Sequence, residues 1–152
     1  MGNAVAWSYF SLFGQNQVIK YILGDEAPSI ISDPFWNEHE VETYTGSKVR
    51  RELFKAFRSS VKPTVQTLSQ EMMDRLLSDH LARDWRDIVA TIHIPTMIVM
   101  GGKSHYASPL LWNWLHNTIK SSRLEVIQEA GHGFYETHAV IFNSLALDFL
   151  KN

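Results

Sequence analysis

Two kinds of apolar pattern alternate along the chain. Within residues 2–14, Ala4, Val5, Trp7, Leu12 and Phe13 fall at mixed helical spacings with few polar residues between them. The pattern predicts a helix stopped by Gly14, and a helix apolar on so many sides expects burial on more than one of them. Residues 18–23 (VIKYIL) are short, β-branched and aromatic and predict a strand, which Gly24-Asp25-Glu26-Ala27-Pro28 ends as a loop. Residues 96–100 (TMIVM) follow Ile94-Pro95 and are closed by Gly101-Gly102. An unbroken apolar run of that length is buried on both faces, as a parallel strand between helix layers is. Ser108-Pro109 opens a helix to about residue 120 that carries Trp112 and Trp114. Residues 124–127 (LEVI) predict another strand, Gly131-His132-Gly133 a loop, and residues 140–150 an amphipathic closing helix.

The middle of the chain reads differently. Residues 32–45 are aromatic and acidic without a period, which predicts loop with one short helix. Residues 48–57 put Val49, Leu53, Phe54 and Phe57 on one helical face and Arg50, Arg51 and Lys55 on another. A second helix opens at residues 67–70 and carries Met72, Leu76 and Leu77; a third, over 81–91, carries Trp85, Ile88 and Val89. No segment of this block has a strand pattern. The order is helix, strand, helical block, strand, helix, strand, helix, which predicts an α/β fold on a parallel sheet covered on both faces. Three strands are fewer than the four to six usual in such sheets, roughly.

Composition narrows the function classes. With 152 residues, 45% hydrophobic and 20% charged, the chain expects one globular core. A net charge of −2 with no basic stripe argues against a nucleic-acid partner. The absence of cysteine removes disulfides, thiolate catalysis and zinc–thiolate sites, and suits a cytoplasmic protein. The first residues carry neither a basic n-region nor a signal-like apolar core, and no apolar run approaches a membrane span, so no membrane partner is expected.

The candidate chemistry centres on His132. Flanking glycines let the backbone turn sharply and leave the imidazole uncovered, after a strand and before a helix, where a catalytic base would stand; a plain surface histidine is the alternative. His39 with Glu38, Glu40 and Glu42 lacks the spacing of a helical two-histidine zinc site and reads as a solvated acidic loop. His80 and Asp84 would share a helix face as a surface contact, and His138 reads as helix-start packing. Ser104, His105 and Tyr106 are candidates for a pocket mouth. Trp112, Trp114, Phe134 and Tyr135 read as core, with Phe134 able to border a pocket. No metal or cofactor is expected.

Taken together, the strand, Gly-Gly loop, helix, strand and Gly-His-Gly resemble the C-terminal half of an α/β-hydrolase. Ile94-Pro95-Thr96-Met97-Ile98-Val99-Met100-Gly101 is similar to the family's strand before its final αβ unit, and His132 stands where the catalytic histidine lies. The resemblance implies a hydrolase core over residues 1–31 and 92–152, with a small helical cap at 32–91. Gly2 to Tyr9 resembles the helix that follows the nucleophile elbow, with Gly2 as the elbow's last glycine. In the family's commoner arrangement an aspartate would fall at Ser104. A subset takes its acid instead from the end of the sixth strand and carries a Lys/Arg-Ser…Tyr loop, as Lys103-Ser104…Tyr106 does here. That implies Asp25 as the acid, with Glu26 as the alternative carboxylate; a plain loop cap is the other role open to Asp25.

The resemblance implies an esterase-like serine hydrolase acting on a small-molecule substrate. The nucleophile would stand one residue before Met1, so this chain alone is expected to be inactive. A non-catalytic dimeric relic or ligand-binding module of the same fold is the other reading. An unpaired edge on the 18–23 strand and the apolar 2–13 helix predict a homodimer, or a complex with a separately supplied N-terminal half.

Overall fold

The computed structural model describes residues 2–29, 69–104 and 108–152. The chain divides into two compact units, Met1–Pro28 with Trp85–Asn152, and Ser29–Asp84. The expected loop at 32–45 and helix at 48–57 lie outside the described residues.

The first unit begins with α1 (Gly2–Phe13), which ends where Gly14 takes a left-handed φ of 72° and returns its N–H to the Phe10 carbonyl at 3.0 Å. Strand β1 is Tyr21–Gly24, later than the expected 18–23. The Val18 N–H closes a turn onto the Gln15 carbonyl at 2.9 Å, and the chain first meets its neighbour where the Tyr21 N–H reaches the Pro95 carbonyl at 3.0 Å. Strand β2 (Thr96–Gly101) is buried at all six residues, as its unbroken apolar run requires. Strand β3 (Ser122–Ile127) completes a parallel sheet of order β1-β2-β3, in register Leu23 to Ile98 to Leu124.

Helices cover both faces. On one, Met97 and Val99 pack with Ile127, Ala130, Phe134 and Phe149, flanked by Ile22, Phe142 and Leu145. Their alternates along β2, Ile98 and Met100, point the other way. The helices α3 (Arg86–Ala90) and α4 (Pro109–Thr118) belong to that second face: α4 packs on β2 and β3, and α3 on α1 and α4. There Phe10 meets Tyr21 edge to face at 5.4 Å, and Trp7 is fully buried. Ser108 caps α4 by accepting the Leu111 N–H, with Pro109 in the first turn as anticipated. After His132 come a short turn of helix, α5 (Phe134–Thr137), which the sequence pattern does not anticipate, and α6 (Ala139–Lys151).

In the second unit, α2 (Gln70–Ala82) starts at Ser69, whose hydroxyl accepts the Met72 N–H at 3.3 Å. The helix expected over 81–91 does not form as one piece. Arg83 turns to an extended ψ of 142°, ending α2, and helix resumes only at Arg86. His80 and Asp84 therefore do not share a helix.

Candidate active site

The candidate residues gather at the carboxyl ends of the strands, the usual place for a ligand in an open parallel sheet. Asp25 directly follows β1. Its N–H extends the ladder to the Val99 carbonyl at 2.9 Å, and its φ of 39° is the one positive value at a non-glycine among the described residues. That left-handed kink turns the side chain inward, leaving Asp25 1% exposed. Its Oδ1 accepts the Gly101 N–H at 3.3 Å, and its Oδ2 accepts the Ser104 hydroxyl at 2.5 Å.

His132 completes the set. Its Nδ1 lies 2.8 Å from Asp25 Oδ2, 107 residues away in sequence, while its side chain is 47% exposed. An ionised carboxylate only accepts, so Nδ1 carries the proton and Nε2 is left as the acceptor. The loop bearing His132 is held by backbone. Gly102 N–H bonds the Ile127 carbonyl at 3.0 Å, and Lys103 N–H bonds the Ala130 carbonyl at 2.8 Å. A Cβ on Gly101 would overlap the Gly131 carbonyl oxygen and lie 2.7 Å from that of Ala130, so only glycine allows this approach. An ion pair between Lys103 and Glu129 joins the two loops at the surface, and the Lys103 hydrogen bond pulls the Glu129 carboxyl below its ordinary range.

Glu26 faces away from His132. Its Oε2 accepts the Asn3 N–H at 3.1 Å, in the first turn of α1. Asn3 also donates its side-chain amide to the Gly24 carbonyl at 2.8 Å and accepts the Tyr21 hydroxyl at 2.8 Å. Burial, and then the charge of Glu26, push the Tyr21 phenol far above its ordinary value, so Tyr21 stays a neutral donor. Of the two adjacent carboxylates, Asp25 is the one that reaches the histidine.

The sequence pattern treats Ser104 as a pocket-mouth residue, whereas its hydroxyl is spent on Asp25. The signal available was its place in the Gly-Gly-Lys-Ser loop at the end of a buried strand. His105 and Tyr106 lie outside the described residues, as do His39 and its glutamates. Phe134 is buried, but Tyr135, expected in the core, is 53% exposed. Among the described residues no three His, Cys, Asp or Glu side chains cluster as metal ligands would. Ser8 is no nucleophile for the pair, since its hydroxyl bonds the Ala4 carbonyl within α1 at 2.8 Å. What the pair can do chemically is hold a half-exposed imidazole in one tautomer against a buried carboxylate.

No family model matches the chain. Among solved structures it is similar to an α/β-hydrolase enzyme, MGS-M2, from a Medee basin deep-sea metagenome library. The TM-score is 0.68 at 16% identity, over 99% of this chain and 62% of that one. The chain has an α/β-hydrolase fold. The same fold joins it to an esterase from Exiguobacterium antarcticum, with a TM-score of 0.67 at 20% identity over 98% of this chain and 63% of that one. A bromoperoxidase from Bacillus anthracis matches with a TM-score of 0.69 at 19% identity, over 100% of this chain and 65% of that one. By sequence, a pimeloyl-[acyl-carrier protein] methyl ester esterase of Neisseria meningitidis serogroup B is 35% identical over 68 residues. That match covers 45% of this chain and 26% of the relative, so it takes in only about a quarter of that relative's length. No described helix is long and apolar enough to cross a membrane.

Proposed function

We propose that this chain supplies the acid–base half of an ester-hydrolysing site, with His132 as general base and Asp25 as the carboxylate that orients it. The observation that carries this reading is the 2.8 Å contact between a buried carboxylate and a half-exposed imidazole at the carboxyl end of the sheet. The esterases among its relatives favour a carboxylic ester of a small molecule as substrate.

The third member of the site is a serine leading directly into α1. His132 Nε2 takes the serine proton as Oγ attacks the ester carbonyl carbon, and the tetrahedral oxyanion collapses. The C–O bond to the alcohol breaks, and His132 returns the proton to that leaving oxygen. Water then attacks the acyl-serine with His132 again as base, releasing the acid and restoring the serine. Asp25 keeps its negative charge throughout and stabilises the imidazolium. The lack of cysteine fits work in the cytoplasm.

A fluorophosphonate serine probe tests this on the chain alone and on a polypeptide extended by a strand and serine into Gly2. Labelling that appears only in the extended form, at that serine, supports the proposal. No labelling in either form would leave a non-catalytic module of the same fold.

A further inference from the structure

Three hydrogen bonds converge on Asn3, a buried residue in the first turn of α1. Its side-chain amide donates to the Gly24 carbonyl at 2.8 Å and accepts the Tyr21 hydroxyl at 2.8 Å, while its N–H goes to Glu26 Oε2 at 3.1 Å. All three partners lie within residues 21–26, the stretch that delivers Asp25. Chemistry settles how the amide is turned. A carbonyl oxygen only accepts, so the nitrogen faces Gly24, and the neutral Tyr21 phenol supplies the donor for Oδ1. Asparagine is a weak helix former, so its presence in α1 answers to these bonds rather than to the helix.

The bond to Gly24 reaches beyond the helix. The Gly24 carbonyl and the Asp25 N–H are the two polar ends of one planar peptide group. Both ends are held, the oxygen by Asn3 and the N–H by the Val99 carbonyl at 2.9 Å. From that plane the Asp25 backbone departs into its φ of 39°. A left-handed φ outside glycine persists only where the surroundings over-determine it. The Asp25 side chain is fixed by Gly101 and Ser104, and its main chain by this pinned peptide.

We propose that Asn3 is a positioning residue, whose amide sets the start of α1 against the Asp25–His132 pair. The inference rests on the proposed ester hydrolysis, in which a serine leads directly into α1. One end of the Asn3 side chain then moves with the helix that carries the nucleophile. The other is bonded to the peptide that aims the carboxylate behind the base. The Tyr21 bond steadies the amide; the Gly24 bond makes the link.

Removing the amide alone would strand the buried Tyr21 hydroxyl, which costs stability by itself. The variant that tests the proposal is therefore Asn3→Leu/Tyr21→Phe, with Tyr21→Phe as the control that keeps the Gly24 bond. Both are made in the serine-extended polypeptide, checked for folding by circular dichroism, and labelled with the fluorophosphonate probe over a range of concentrations. The expected result is a maximal labelling rate about tenfold below the control, with the half-saturating probe concentration unchanged. A merely structural role would lower the melting midpoint and leave the maximal rate of the folded protein where it was. A slowing of less than about threefold overturns the proposal. Should the unmodified extended form fail to label, the hydrolase reading falls, and the His132 Nδ1 proton resonance of the unextended chain decides. Its displacement in the double variant but not in the control supports Asn3 as the residue that holds the pair. The same resonance position in both overturns it. If the double variant does not fold, Asn3→Ser is read in its place by both measurements, against the unmodified protein.

Discussion

Ser104 donates its hydroxyl to Asp25 Oδ2 at 2.5 Å, the same oxygen that His132 approaches at 2.8 Å. The serine stands where the resemblance would otherwise put the acid itself, so the loop after β2 serves the carboxylate that β1 delivers. Hydrogen bonds to a charged group contribute about 1.5–3 kcal/mol. Ser104→Ala is expected to lower the melting midpoint and to slow probe labelling of the serine-extended form about tenfold, the effect of about 1.4 kcal/mol of lost orientation. Ser104→Thr, which keeps the hydroxyl, should restore most of the rate. Equal rates for the serine, alanine and threonine forms would show that the contact has no catalytic consequence.

Glu26 separates structure from chemistry. It is 7% exposed and tied to the Asn3 N–H, and has no bond to His132. Glu26→Ala removes that acceptor and is expected to destabilise the chain by about 1–3 kcal/mol in urea unfolding. The labelling rate of the folded extended form should stay within about threefold, since a transition-state loss under about 0.7 kcal/mol gives no more. A collapse in rate as deep as that from Asp25→Asn would make Glu26 the acid instead.

Gly101 is where β2 meets the histidine loop. An alanine Cβ there would run into the backbone carbonyls of Gly131 and Ala130, which no rotamer change relieves. Gly101→Ala should destabilise by about 1–3 kcal/mol or more and shift the amide resonances of Gly131 and His132. A variant as stable as the parent, with those resonances unmoved, would contradict the close approach.

Tyr21 predicts a pH dependence. Its folded-state pKa is raised by burial and by Glu26, so above about pH 10 the unfolded chain loses the phenol proton while the folded chain keeps it. Its stabilising effect is whole below the unfolded value and is lost as pH rises toward the folded one. Stability should therefore fall from about pH 10 upward. Tyr21→Phe should lose about 1 kcal/mol at neutral pH, from the missing bond to Asn3, and show a shallower alkaline decline. Identical alkaline slopes in the two proteins would put the titrating group elsewhere.

The sheet was legible because its central strand is apolar at nearly every position, and only double-sided burial explains such a run. β1 was harder to place, since Val18 and Ile19 share its composition while the turn that excludes them depends on one hydrogen bond from Val18 to Gln15. The break at Arg83 was invisible for a similar reason: arginine is a good helix former, and tertiary context overrides it. At the site, His132 announced itself through its glycines. The choice between Asp25 and Glu26 could not be read from sequence, because adjacent residues after a strand differ only in the side to which each points. A left-handed φ turns Asp25 toward His132, a conformation that aspartate tolerates better than most non-glycine residues but that its presence alone does not specify.

The most direct test is the second-order rate constant for fluorophosphonate labelling of the serine-extended polypeptide, compared with His132→Ala and Asp25→Asn. Removing the base, or the carboxylate that fixes its tautomer, should each slow labelling by about 10³–10⁴-fold while the fold persists by circular dichroism. A His132→Ala protein that labels as fast as its parent would contradict the assignment of His132 and Asp25 as the acid–base half of the site.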